Sequence, residues 1–111
     1  MALLNTKCYS LLLGARNTPA AGREFRAEDD ARIRDITARH FPDGFTILAA
    51  DGAWFDATHQ RFVEEESRQI LVSTSRPATL RPWIDELGHA LGQKELLVVE
   101  LGPAATFRVA R

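Results

Sequence analysis

Tyr9, Arg16 and Trp54 place two large aromatics and a guanidinium near the ends of predicted strands, a set that could line a pocket on an open sheet face. Glu66 would add a carboxylate able to act as a general base, with Arg16 orienting an anionic substrate and Gln93 supplying an amide. That set would suit a cofactor-free enzyme acting on a small organic molecule. Large aromatics serve equally as the centre of a dimer interface, which is their commoner use.

Other reactive side chains lack a chemical context. His40 falls at the end of an apolar helical face, where packing or capping accounts for it, and His59 and His89 fall in polar surroundings. No two histidines have the spacing of a helical or hairpin metal site, and Glu64-Glu65-Glu66 lacks the alternating oxygens and glycine of a cation loop. Gly14 to Gly22 has neither phosphate-cradle spacing, no serine has the flanking glycines of a nucleophile elbow, and Cys8 reads as a small core residue. No metal and no cofactor is expected.

Composition narrows the class. The chain has 111 residues, 45% apolar and 26% charged, the profile of one globular domain spanning 1–111. Its 14 basic residues, 12 of them Arg, nearly balance 15 acidic ones, and they are scattered among those acids, which argues against a nucleic-acid track. The lone cysteine allows no internal disulfide. No apolar run approaches the roughly 20 residues of a membrane span, and Met1 to Leu13 lacks the basic lead of a signal peptide, so a cytoplasmic location is expected.

The elements that must position these residues follow from periodicity. Lys7 to Gly14 reads as a central strand, apolar on both faces, and Gly14 to Gly22 as a loop. Arg26 to His40 reads as a helix with acids in its first turn, stopped by Phe41-Pro42. Asp51-Gly52 between Phe45–Ala50 and Ala53–Asp56 has the signature of a tight hairpin, and Arg68 to Thr74 forms another strand. Leu80, Ile84, Leu87 and Leu91 mark a second helix, with Thr79 as N-cap, Trp83 flanking the stripe and Gly92 as stop. Leu96 to Leu101 is a strand, interrupted by Gly102-Pro103 and resumed over Thr106 to Val109. The order β-α-β-β-α-β predicts an α+β, ferredoxin-like split βαβ sandwich with both helices on one face of an antiparallel sheet. The expected core is Leu11 or Leu12, Ile33, Ile36, Ile47, Ile70, Val72, Ile84, Leu87, Leu91 and Val98.

With those elements placed, Phe41 to Asp56 (FPDGFTILAADGAWFD) resembles a signature of a small bacterial family known only as a domain of unknown function. The likeness rests on Leu13-Gly14, Phe41-Pro42-Asp43-Gly44, Thr46, Gly52, Trp54, Glu66-Ser67-Arg68, Gln93 and Glu95. It departs at Leu12, where an aromatic is usual. The resemblance spans Cys8 to Val109 and carries no catalytic residue with it. It implies that related chains are exported in many cases.

Two helices can cover only one sheet face, while Leu11 and Leu12, Ile70 and Leu71, and Leu97 and Val98 make both faces apolar. The expectation is therefore a non-catalytic module that forms a homodimer through the open face and binds a small molecule or a protein. The alternative is the cofactor-free enzyme, of the dimeric α+β barrel type.

Overall fold

The computed structural model describes residues 2–15 and 24–110, with side chains from Asn5 onward. Strand β1 (Ala2–Gly14) is followed by helix α1 (Ala27–His40), the long hairpin strands β2 (Thr46–Asp56) and β3 (Arg61–Thr74), a 3-10 turn (Pro77–Thr79), helix α2 (Leu80–Ala90) and strand β4 (Leu97–Phe107). The sheet order is β2-β3-β1-β4 with every neighbouring pair antiparallel. Each β-α-β unit is thus split by one inserted strand, and the fold is the ferredoxin-like α+β sandwich.

Alternation along the strands sets the core. Tyr9, Leu11 and Leu13 of β1 and Ile70 and Val72 of β3 point to one face and pack with Ile33 and Ile36 of α1, Trp83 and Leu87 of α2, and Leu91. Both helices therefore cover the same face. Ile47, Ile84 and Val98 pack at the margin of this cluster, while Leu12 turns to the other face and Leu11 is fully buried.

Trp83 does not flank the α2 stripe. It is fully buried at the stripe's centre, because its indole N–H finds an acceptor inside: Thr37 Oγ1, at 3.1 Å. Phe41 meets the same indole edge-on at a centroid distance of 4.9 Å. Thr79 holds the N-cap position of α2, but its backbone is helical and its side chain makes no capping hydrogen bond. The turn into α2 is instead closed by Thr74 Oγ1, which accepts the Arg76 N–H at 2.9 Å.

Asp51-Gly52 is not a turn. It sits mid-ladder, with Asp51 opposite Glu66 and Gly52 opposite Glu65. The chain reverses at Ala57 to Gln60, where Asp56 Oδ1 accepts the Thr58 and His59 N–H groups at 3.0 and 3.3 Å and Gln60 takes a positive φ of 53°. The longer ladder gains the cross-strand pairs Trp54–Val63 and Phe55–Phe62, the latter edge-on at 5.3 Å, which a turn at Gly52 would forfeit. The acidic run consequently lies inside β3 and is paired along β2. At β4 the chain continues through Gly102, at φ 117°, with a register shift opposite Cys8 and Tyr9, so Gly102-Pro103 bends one strand and does not separate two.

Candidate functional site

The end of β1 is tethered from several elements. Gln93, just past α2, donates from Nε2 to the Gly14 carbonyl at 3.2 Å, and Gly88 O accepts the Gln93 N–H at 2.8 Å. The Glu65 carboxylate occupies the space that a Cβ at Gly14 would need. Across the helix-bearing face, Glu66 Oε2 accepts the Phe25 N–H at 3.1 Å. Arg68 then ties the start of α1 to β3: its guanidinium bonds both carboxylate oxygens of Asp30, at 2.9 and 3.3 Å, reaches Glu66 at 3.5 Å and lies 4.5 Å from the Phe25 ring centre. The neighbouring Asp30 and Glu66 carboxylates, Asp30 foremost, hold the Arg68 pKa above its ordinary value.

Of the five residues proposed from sequence, Glu66 and Gln93 lie at this corner, and Arg16 lies outside the described residues. Tyr9 does not belong to the open face. Its alternation with Leu11 and Leu13 points it at the helices, where it is buried and its hydroxyl reaches Glu100 Oε1 at 3.4 Å. Trp54 lies on the open side by register, opposite Val63 on the hairpin and beyond the segment where β1 pairs with β3. Tyr9 pairs with Val72, several positions along the strands from the Gly14–Ser67 pair, so among the described residues it does not join Glu66 and Gln93. Arg68 and Asp30 were missed by sequence reasoning. The Glu66-Ser67-Arg68 triplet was the available signal, since alternation puts its two charged ends on one face.

A second tether joins the helices at the opposite end of α1. Glu86 of α2 accepts from Nη1 and Nη2 of the Arg39 guanidinium and lies 2.9 Å from His40 Nε2. Arg39, then His40, hold the Glu86 carboxyl down to about 2. This makes His40 a helix-linking residue.

The face away from the helices carries the larger feature. Two rows of side chains cross all four strands in register: Leu48, Gln69, Leu12 and Leu97, then Thr46, Leu71, Ser10 and Val99. Gln69 Nε2 donates to Ser10 Oγ at 3.0 Å, so the polar members at the centre satisfy each other. The leucines do not withdraw from solvent: Leu12 is 38%, Leu48 44% and Leu97 60% exposed, with Val99 and Leu101 exposed beside them. No described element lies over these rows. Among the described residues no group of three or more His, Cys, Asp or Glu side chains could hold a metal ion, and no helix is long and apolar enough to cross a membrane.

The split βαβ architecture with one bare sheet face puts the chain in a broad class of α+β sandwiches. Its backbone is similar to that of a phage SAM lyase in complex with S-methyl-5′-thioadenosine (TM-score 0.61, 14% identity, covering 93% of this chain and 90% of that one). It is also similar to the periplasmic divalent cation tolerance protein CutA from Archaeoglobus fulgidus (TM-score 0.56, 10% identity, 88% and 82% covered). The GlnK–ATP complex of B. subtilis is a third such structure (TM-score 0.51, 10% identity, 86% and 83% covered). No curated protein sequence matches. Residues 10–94 match the family DUF3574, described as a protein of unknown function, and the chain belongs to that family.

Proposed function

We propose that the chain is a non-catalytic binding module that pairs with a second copy of itself through the open sheet face. One observation carries this reading: Leu48, Leu12, Leu97, Leu71 and Val99 stand in register across four strands on the face that no described helix covers. Contiguous apolar surface of this kind is costly to leave in water, and a two-fold pairing of identical faces is the commonest way to bury it. The charged helix-bearing side would then face solvent or a ligand.

The rival reading, a cofactor-free enzyme on a small organic substrate, has less support. Its base, Glu66, is engaged by Arg68 and the Phe25 N–H, and Tyr9 is occupied in the core. Structures of this fold do accommodate adenosine derivatives, S-methyl-5′-thioadenosine in the phage SAM lyase and ATP in GlnK, so such compounds are reasonable first probes for a bound small molecule.

Sedimentation equilibrium at micromolar concentration tests the self-association. The expected result is a species of twice the chain mass, reduced to the single-chain mass by Leu97→Glu. A single-chain mass for the unsubstituted protein overturns the reading.

A further inference from the structure

The end of the sheet next to the α1–β2 turn holds a cleft of about 370 Å³, within the usual size range of small-molecule sites. Its walls come from five places in the chain: Thr6 on β1, Phe41 to Gly44 after α1, Ser73 to Arg76 at the end of β3, Thr79 before α2, and Thr106 on β4. Phe41 and Pro42 supply its apolar surface, and the rest of the lining is unusually rich in hydroxyls: Thr6, Ser73, Thr74, Ser75, Thr79 and Thr106.

Part of this hydroxyl set is explained by the fold. Thr6 and Ser73 bond each other, and Thr74 closes the turn onto the Arg76 N–H. Ser75, Thr79 and Thr106 have no such task, and their hydroxyls make no hydrogen bond among the described residues. Arg76 is exposed and has no carboxylate within ion-pairing distance among the described residues. His40 also lines the cleft, with its Nε2 2.9 Å from Glu86 Oε1.

We infer that this cleft binds a small organic phosphate bearing free hydroxyls, of the sugar-phosphate or nucleoside-phosphate class. A phosphate group offers several acceptor oxygens and a net negative charge, which matches rotatable hydroxyl donors around one unpaired guanidinium. Asp43, on the same rim, would repel a bare anion and accept from a ligand hydroxyl, so the phosphate alone is the poorer fit. The inference deepens the binding-module reading by naming a ligand class, yet no leucine of the open-face rows lines the cleft. Monomeric Leu97→Glu protein is therefore expected to retain it.

The test is calorimetric titration with three probes, ribose 5-phosphate, inorganic phosphate and ribose, on the unsubstituted protein, on Arg76→Gln and on Thr79→Ala. Expected is binding of ribose 5-phosphate with Kd of about 1 mM or tighter, weaker or absent binding of the other two, and a loss of roughly tenfold or more in Arg76→Gln. Amide shifts in two-dimensional NMR should cluster at Thr6, Ser73 to Arg76 and Thr106. The inference is overturned if ribose 5-phosphate fails to bind at about 10 mM, binds no better than inorganic phosphate, binds equally to folded Arg76→Gln, or moves amides elsewhere. A failed titration alongside a sedimenting dimer would remove the ligand and keep the module; a monomer that binds would do the reverse.

Discussion

Trp83 of α2 donates its indole N–H to Thr37 of α1 at 3.1 Å, and both residues are fully buried. This bond lets the largest side chain of α2 occupy the centre of the core. It also explains why Thr37, in mid-helix, faces inward: its hydroxyl is the acceptor that a buried indole requires.

Thr37→Val keeps the shape of that side chain and leaves the Trp83 N–H unbonded. The expected loss is about 1–3 kcal/mol, the cost of an unsatisfied buried donor. Urea unfolding followed by tryptophan fluorescence measures it, and a loss below about 0.5 kcal/mol would mean that the indole has another acceptor.

Leu87 is wholly buried between α2 and the sheet. Leu87→Ala is expected to cost about 2–5 kcal/mol through lost burial and a residual cavity. A value under about 1 kcal/mol in the same unfolding assay would place the inner face of α2 elsewhere.

Gly52 tests the hairpin. It lies mid-strand, its φ is not in the left-handed region, and a Cβ there would meet Ser67 at an ordinary 3.7 Å. Gly52→Ala should therefore change stability by no more than about 0.5 kcal/mol. Were Asp51-Gly52 a tight turn, the same change would force a strained backbone and cost at least about 1 kcal/mol. Gln60→Gly, at the true turn, should be neutral or stabilising because it relieves the positive φ.

Acid should act through Glu86. Its folded pKa is depressed to about 2 from the ordinary 4.5, by Arg39 first and His40 second. A depressed carboxylate stabilises the fold above its unfolded value, and that contribution is lost as pH falls through the folded one. The gap in urea midpoint between the protein and Glu86→Gln, present near neutral pH, should therefore close between pH 4.5 and about 2. A gap that stays constant across that window would show that the Arg39–Glu86 contact is not maintained in solution.

The order of elements, the split βαβ fold and most of the core could be read from the chain, because alternation and helical spacing are local consequences of which side chains must leave water. The two-sided apolarity of Leu11-Leu12, Ile70-Leu71 and Leu97-Val98 also pointed to an uncovered sheet face. Four things needed the tertiary structure. The position of the hairpin turn was decided by cross-strand partners, Trp54 with Val63 and Phe55 with Phe62, which outweigh the local preference of Asp-Gly. The inward turn of Trp83 was decided by Thr37, 46 positions away in the chain, and Tyr9 was assigned to the helix side by its neighbours Leu11 and Leu13. Likewise, Thr6, Ser73, Arg76 and Thr106 have no shared sequence pattern. Only the antiparallel pairing of β1 with both β3 and β4 brings them to one end of the sheet, since a cleft is made by long-range register and a single sequence records only local order.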